Sequence, residues 1–292
     1  MPAGFATTSI TAGESTYAVD SAGRGPAVLL LHGFPQDRSC WYRVAPALTA
    51  RHTVVACDLK GVGGSRAPRG GPLGEGYDKR EIAAELVAVM AELGHERFAV
   101  VGHDRGARVA YRMALDHPGR VERACVLNVV PTVEQFDRLD ADSALEYWPF
   151  LLLAQPAPFA EELVAAAAEH VVRHLLTTWP ASPEAIAPDA VERYVRAFTP
   201  ATIAAWCADY RAAFHLDRAL DAADRAAGRT IGCPVLVHWG AGVDAMADGP
   251  LPVWRRWAAD VRGGPLPGGH FVPEEAAEEL VASLREFLGE AA

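Results

Sequence analysis

Short apolar runs alternate with amphipathic stretches through the first 130 residues or so of the chain. Runs that are apolar on both faces predict strands of a parallel sheet, because helices cover both sides of such a sheet. The predicted strands are Ala27–Leu31, Thr53–Cys57, Phe98–Val101, Arg123–Val130 and, after a long interval, Pro234–Trp239.

Three segments between or after these runs have helical spacing. Arg80–Leu93 places its apolar side chains on one side, and Gly106–Asp116 and Glu274–Leu288 are also predicted to be helices. Strands that alternate with helices in this way predict an α/β fold with a mostly parallel central sheet flanked by helices.

The pattern changes from Pro131 to about Gly228, where strand signals vanish and prolines punctuate helical segments. We therefore expect residues 1–131 and 229–292 to form one α/β core domain. Residues 132–228 are expected to form a helical cap inserted into it.

Composition narrows the function classes. Half of the 292 residues are hydrophobic, which is enough for a large folded core. The formal net charge of -10 argues against nucleic-acid binding, which needs clustered Lys and Arg. We find neither a signal peptide nor a membrane span, and so expect a cytoplasmic protein without a membrane partner.

Five cysteines are scattered without a C-x-x-C pair, a pattern that favours reduced core thiols over disulfides or zinc. They are Cys40, Cys57, Cys125, Cys207 and Cys233. Metal-binding, phosphate-loop and dinucleotide motifs are also missing, so no cofactor is expected.

The segment Gly102-His103-Asp104-Arg105-Gly106 stands between a predicted strand and a predicted helix. This is the pattern of a nucleophile elbow, whose glycines permit a strained strand-to-helix turn that lifts the central side chain clear of the sheet. A simpler alternative is that Asp104 only caps the helix.

An aspartate at the tip of the elbow changes the expected chemistry. Its carboxylate is ionised at neutral pH and suits displacement at a saturated carbon, which gives an ester between enzyme and substrate. Water must then attack that ester with the help of a general base. An ordinary esterase, which would use Ser or Cys here, is not expected.

His270 lies in Pro267-Gly268-Gly269-His270-Phe271. In chain order this is the place where the α/β-hydrolase fold, to which a nucleophile elbow belongs, carries its catalytic base. The backbone N–H groups of Phe34 and Arg105 are expected to form the oxyanion hole. His32 and His103 are interpreted as structural.

With these motifs in place, the chain resembles the fluoroacetate dehalogenases and, more loosely, the epoxide hydrolases of the same fold. The resemblance covers nearly the whole chain and is carried by Leu31–Gln36, Asp58–Ser65, Gly102–Pro118, Ala154–Pro158, Cys207–Ala212, Leu220–Gly228 and Pro267–Phe271. It implies that Asp104 is the nucleophile and His270 the base.

The resemblance also implies a substrate site. Arg105 and Arg108 match the arginine pair that holds the substrate carboxylate in the dehalogenases, and Tyr210 matches a cap tyrosine that faces the leaving group. Arg108 could instead pair with an acidic side chain on the surface.

Two departures from the dehalogenase pattern stand out. Asn128 occupies the place of the aspartate that orients the catalytic histidine, and Pro149-Phe150 replaces a His-Trp pair that binds the departing halide. With that pair missing, Tyr210, Tyr147 and Trp148 remain as donors, although Tyr147 and Trp148 could equally be core aromatics.

The missing acid has a candidate replacement. In the wider fold the acid can follow the next strand, where this chain has Asp244 with Asp248 behind it. The working triad is therefore Asp104, His270 and Asp244, with an exposed turn aspartate as the alternative.

Three functions remain open. The sequence favours an epoxide-hydrolase-like enzyme acting on a small or medium organic molecule, in which Tyr210 assists the ring oxygen. The second is a 2-haloacid dehalogenase. The third, motivated by Asn128, is a non-hydrolytic biosynthetic or binding member of the fold. The expected partner is a small-molecule substrate, and a homodimer is left open.

Overall fold

The computed structural model describes residues 4–242 and 249–290, in which a single eight-stranded sheet runs through the core. Strands β1 to β8 span Ala6–Ala12, Ser15–Gly23, Ala27–Leu31, Thr53–Cys57, Phe98–His103, Val121–Leu127, Val235–Gly240 and Val261–Leu266. Their order across the sheet is β1-β2-β4-β3-β5-β6-β7-β8. The six strands from β3 to β8 are parallel, and β2 joins β4 antiparallel.

Helices cover the sheet and fill the interval between β6 and β7. Within the described residues, α1 to α14 span Ala45–Leu48, Lys79–Glu92, Arg105–Asp116, Thr132–Phe136, Ala141–Glu146, Trp148–Leu152, Phe159–Ala166, Ala168–Thr178, Pro188–Ala197, Pro200–Ala212, Arg218–Ala226, Leu251–Trp254, Val272–Glu275 and Ala277–Leu288. A short 3₁₀ segment covers Arg38–Arg43, and a π-helical turn at Ala213–Asp217 links α10 to α11.

The sequence-based fold class is confirmed: this is the α/β-hydrolase architecture with a helical insertion after β6. The described residues of α4 to α11 all lie within the interval predicted for the cap. The division of the chain at residues 131 and 229 stays a prediction. No described helix is long and apolar enough to cross a membrane.

The central strands β3, β4 and β5 are almost entirely buried. Every residue of β3 and β5 is buried, and β4 is buried except at its first residue. Because neighbouring parallel strands end at the same edge, the loops that follow β3, β5, β6 and β8 converge there. That edge carries the residues singled out from the sequence.

Candidate active site

The elbow after β5 holds Asp104 in a backbone conformation that residues other than glycine rarely adopt, with φ of 46° and ψ of -114°. Two glycines make this turn possible. A Cβ at Gly102 would lie 2.4 Å from the Gly106 carbonyl oxygen, and one at Gly106 would lie 2.4 Å from backbone oxygens of β3 and the loop after it. Strained backbone of this kind persists where the surrounding structure enforces it, often at functional sites.

The Asp104 side chain does not cap helix α3, so the simpler interpretation of this residue is wrong. Its Oδ2 accepts a hydrogen bond from the Phe34 backbone N–H at 3.0 Å. Burial alone would raise the pKa of the Asp104 carboxyl, but the neighbouring His270 and Arg105 outweigh it and hold the pKa below its ordinary value. The carboxylate is therefore ionised at neutral pH, as a nucleophile must be.

His270 follows β8 and lies across the edge from the elbow. Its ring centroid is 5.0 Å from the ring centroid of His103 and 4.9 Å from that of Trp179. Burial lowers the pKa of the imidazole, and the charges of Asp104 and Glu275 oppose that shift only in part. Nε2 is buried and has no hydrogen-bond partner among the described residues. A neutral imidazole with a free nitrogen can act as a base.

Asn128 does not take the place of an acid on the imidazole. Its Oδ1 accepts the Gly240 N–H at 2.8 Å, and its Nδ2 donates to the backbone oxygens of Gly269 and His270. Asn128 has a positive φ of 60°, a conformation that asparagine tolerates better than most residues. The carboxamide thus anchors the backbone around the histidine. The proposed acid Asp244 and its neighbour Asp248 lie outside the described residues.

Arg105 is fully buried and points toward the cap. Its Nε donates to Asp209 Oδ1 at 2.5 Å and its Nη2 to the Asp209 backbone oxygen at 3.2 Å, while Nη1 has no partner among the described residues. The guanidinium carbon lies 4.2 Å from the centroid of the Tyr210 ring. Asp209 also pairs with Lys79 at 2.6 Å, and Lys79 pairs in turn with Asp217 at 3.3 Å.

Arg108 is also buried, which contradicts the alternative of a surface ion pair. Its Nη1 donates to the Val130 backbone oxygen at 3.1 Å and to Thr132 Oγ1 at 3.2 Å, and its Nε has no partner in the described part of the chain. No carboxylate among residues 4–242 and 249–290 lies within ion-pair distance of it. Burial, and then the charge of Arg105, lowers the pKa of this guanidinium.

Aromatic side chains from the inserted helices cover the two arginines. The Phe150 ring lies 5.5 Å from the Arg105 guanidinium carbon and 5.2 Å from that of Arg108. Tyr210 contacts the same ring edge-on at 5.2 Å, and Tyr147 does so at 5.9 Å. Phe150 therefore supplies an apolar wall over the two guanidinium groups.

The two tyrosines also respond to the charge at the elbow. Burial, and then the charge of Asp104, raises the pKa of Tyr210. Burial, then the charge of Glu146 and to a lesser degree that of Asp104, raises the pKa of Tyr147 to about 12. Both hydroxyls therefore keep their protons at neutral pH. Trp148 is half-buried against the core, and no ring contact or hydrogen bond in the described part of the chain joins it to this cluster.

Sequence reasoning missed two carboxylates that organise the site. Asp209 directly precedes Tyr210, and Glu275 lies five residues after His270. Their position beside recognised residues was the available signal. Their partners, however, come from segments distant in sequence, which a pattern cannot reveal.

Comparisons with known proteins bear on the fold and the family. A family model described as the alpha/beta hydrolase fold matches residues 26–277. A fluoroacetate dehalogenase from Burkholderia sp is 40% identical over 99% of this chain and 95% of its own length. A soluble epoxide hydrolase from Corynebacterium sp. (strain C12) is 31% identical over 91% of each chain.

A solved structure is also similar to this chain. A protein from Nostoc sp PCC 7120, provisionally described as an alpha/beta hydrolase, superposes with a TM-score of 0.94 at 42% identity, covering 98% of this chain and 99% of the other. The resemblance inferred from the sequence motifs is confirmed at the level of the family.

Proposed function

This chain belongs to the alpha/beta hydrolase family, and we propose that it hydrolyses a small 2-halocarboxylate through an ester formed on Asp104. The order of candidates is thus the reverse of the one that the sequence favoured, with the epoxide as the second. The buried pair Arg105 and Arg108 is the observation that carries this order.

Each arginine has one buried donor without a partner in residues 4–242 and 249–290: Nη1 of Arg105 and Nε of Arg108. An unsatisfied donor on a charged group in the interior is costly unless a ligand completes it. A substrate carboxylate offers two acceptor oxygens and a compensating negative charge. The similarity to a fluoroacetate dehalogenase over nearly the full length supports the same substrate class.

The first chemical step uses the carboxylate oxygen that Phe34 leaves free. Since the Phe34 N–H binds Oδ2, Oδ1 of Asp104 is available to attack the substrate carbon that bears the halogen. The new C–O bond forms as the carbon–halogen bond breaks, and the halide leaves with its electron pair. The product of this step is an ester on Asp104.

The second step returns the enzyme to its starting state. His270 takes a proton from water, and the resulting hydroxide attacks Cγ of the Asp104 ester. Negative charge develops on Oδ2, which already receives the Phe34 N–H; the Arg105 N–H is the proposed second donor. As the intermediate collapses, the bond between Cγ and Oδ1 breaks and the departing alkoxide takes the remaining proton of the former water, which leaves Asp104 ionised and releases a 2-hydroxycarboxylate. His270 then gives its proton to solvent.

The residues expected to face the leaving group favour release of chloride or bromide over release of fluoride. Fluoride is small and strongly hydrated, so its release needs strong donors, whereas Pro149 and Phe150 offer no side-chain hydrogen bond. The hydroxyls of Tyr147 and Tyr210 are the proposed remaining donors.

An epoxide is the second candidate because two protonated tyrosines surround the elbow. Tyr210 would donate its proton to the ring oxygen as Asp104 attacks the carbon. The apolar wall formed by Phe150 is compatible with such a neutral substrate.

One assay separates the candidates. The wild type is incubated with chloroacetate, bromoacetate, fluoroacetate and styrene oxide, and halide and diol are measured beside an Asp104→Asn control. We expect halide release from chloroacetate and bromoacetate, slower release from fluoroacetate, and none in the control.

Each other result has a defined meaning. Diol formation without halide release would put the epoxide first. An Asp104 ester that accumulates without product, seen by mass spectrometry of the protein, would indicate a non-hydrolytic enzyme. Neither product nor adduct with any of the four compounds would contradict the proposed function.

A further inference from the structure

The histidine loop, Pro267–Phe271, is held by a carboxylate that the sequence did not single out. Glu275 Oε2 accepts the backbone N–H of Gly269 at 2.8 Å, and its Oε1 accepts that of Phe271 at 2.7 Å. These two amides stand on either side of His270. A single side chain thus fixes the backbone before and after the proposed base.

The same carboxylate ties the loop to the inserted helices. Glu275 Oε2 also accepts the Ala181 N–H at 2.8 Å, and the His270 N–H donates to the Trp179 backbone oxygen at 3.0 Å. The approach is close, since a Cβ at Gly269 would lie 2.5 Å from the Ala181 nitrogen. Residues 179–181 therefore pack directly on the histidine loop.

The carbonyl of His270 is fixed from the opposite side. His103 Nε2 lies 2.7 Å from this oxygen, and Asn128 Nδ2 donates to it as well. Burial lowers the pKa of His103 to about 3, so the ring is neutral and carries its proton on Nε2 to make this bond. Both backbone polar groups of His270 are therefore bound.

We infer that Glu275 is a positioning residue for His270, holding the base through its backbone and supplying negative charge beside the imidazole. The inference rests on the proposed function, in which His270 activates water for hydrolysis of the ester. Glu275 contacts neither substrate nor reacting atoms, so it acts only through His270.

The charges that face the imidazole define what the carboxylate does. Asp104 and His103 approach from the elbow, and Glu275 approaches from the segment after the loop. Trp179, on the inserted helices, is neutral. Since Glu275 raises the pKa of His270, its removal would lower that pKa and shift the acid limb of the rate profile to lower pH.

Glu275→Gln tests both effects with little change of shape. A carboxamide keeps one oxygen, but it presents an NH₂ group to backbone N–H donors and lacks the charge. We expect hydrolysis of the Asp104 ester to slow by about 10-fold or more, because a misplaced base loses its geometry for attack. Formation of the ester, which does not use His270, should stay within about two-fold.

The control is Glu278→Gln, the same change at an exposed residue on helix α14 with no side-chain hydrogen bond to any described residue. Rapid-quench halide release and mass spectrometry of the ester separate the two steps. The pH dependence of kcat and urea unfolding are measured for all three proteins.

Equal ester hydrolysis and an unmoved acid limb in Glu275→Gln would overturn the inference. So would an equal loss of both steps together with lower stability, which would indicate a merely structural role. Failure of the proposed function looks different, because the wild type itself would then form no ester.

Two measurements decide the role of Glu275 even if the wild type forms no ester. NMR titration of the His270 ring should give a lower pKa in Glu275→Gln, and hydrogen exchange of the loop amides should be faster. Unchanged values for both would overturn the inference whatever the substrate is.

Discussion

Arg108 shows how burial changes the meaning of a charged residue. On the surface it would stabilise little, but here it is buried and bound to two oxygens, and its Nε has no partner within the described residues. A hydrogen bond to a charged group contributes about 1.5–3 kcal/mol, which is roughly 10- to 100-fold in affinity. The unpaired donor of Arg108 therefore contributes its hydrogen-bond energy only when a ligand is bound.

We predict that Arg108→Met lowers kcat/KM for chloroacetate by about 10- to 100-fold, mainly through KM, because one carboxylate contact is lost. Steady-state kinetics measure this, with the exposed Arg97→Met as control. A fall in kcat at unchanged KM would contradict a role in binding the carboxylate.

Glu274 gives a pH-dependent prediction at the same scale. It is fully buried; its Oε1 accepts from Gln36 at 2.5 Å and from Tyr194 at 2.7 Å, and its Oε2 has no partner among the residues that the structure describes. Burial raises the pKa of this carboxyl to about 7. The folded protein therefore binds this proton more tightly than the unfolded chain.

The raised pKa of Glu274 makes the folding stability depend on pH. Stability from this group is fully present below the unfolded pKa and is lost as pH rises through 7, by up to about 3 kcal/mol. Glu274→Gln should remove that loss and be more stable than the wild type at pH ~8, with little difference at pH ~5. Urea unfolding across this range checks it, and parallel curves for the two proteins would contradict it.

At the scale of elements, helices α3 and α11 are joined by a buried ionic cluster. Asp221 accepts from Arg112 at 2.6 Å and from Tyr111 at 2.7 Å, and Arg112 also binds Asp224 at 2.5 Å. This cluster fastens the end of the helical insertion to the helix that begins at the elbow.

We predict that Asp221→Ala lowers the free energy of unfolding by about 3 kcal/mol, because it leaves buried donors without their acceptor. The exposed Asp260→Ala should change it by no more than about 0.5 kcal/mol. Urea denaturation of both variants measures this. Equal stability of the two would show that the cluster does not fasten α11.

The central elements could be predicted from sequence, because burial on both faces leaves a strong pattern. Strands β3 and β4 have the predicted bounds, whereas β6 begins and ends earlier than predicted. The predicted last helix is interrupted at Ala276, with φ of -127°. Strand ends depend on neighbours that the local pattern does not contain.

The outer strands were not predicted, for a physical reason. Strands β1 and β2 are rich in Thr, Ser and Ala, and β8 has two glycines and a proline within six residues. Positions at or near a sheet edge need less apolar content, so their signal is weak. The elbow and His270 were identified because motif and chain order mark them, while the contacts of Glu275 and Asp209 required the tertiary structure.

The whole molecule makes a prediction about its thiols. Cys40, Cys57, Cys125 and Cys207 are buried and Cys233 is half-buried. Burial raises the pKa of all five thiols, that of Cys233 to about 11. A packed core should therefore shield four of them from reagents.

We predict that a thiol reagent modifies at most Cys233 in the native protein and all five cysteines in denaturant, because reaction requires an exposed thiolate. Peptide mass spectrometry identifies the modified sites. Rapid modification of Cys125 in the native protein would contradict the packing of the central sheet.

The hydrogen bond between Phe34 and Asp104 makes the two oxygens of one carboxylate chemically unequal. By the proposed route, the unbound oxygen departs with the product and an oxygen from the solvent replaces it. In water enriched with heavy oxygen, the first product molecule would therefore carry an unlabelled atom taken from the protein. The protein would become heavier in exchange, so isotope content records whether a given molecule has ever turned over.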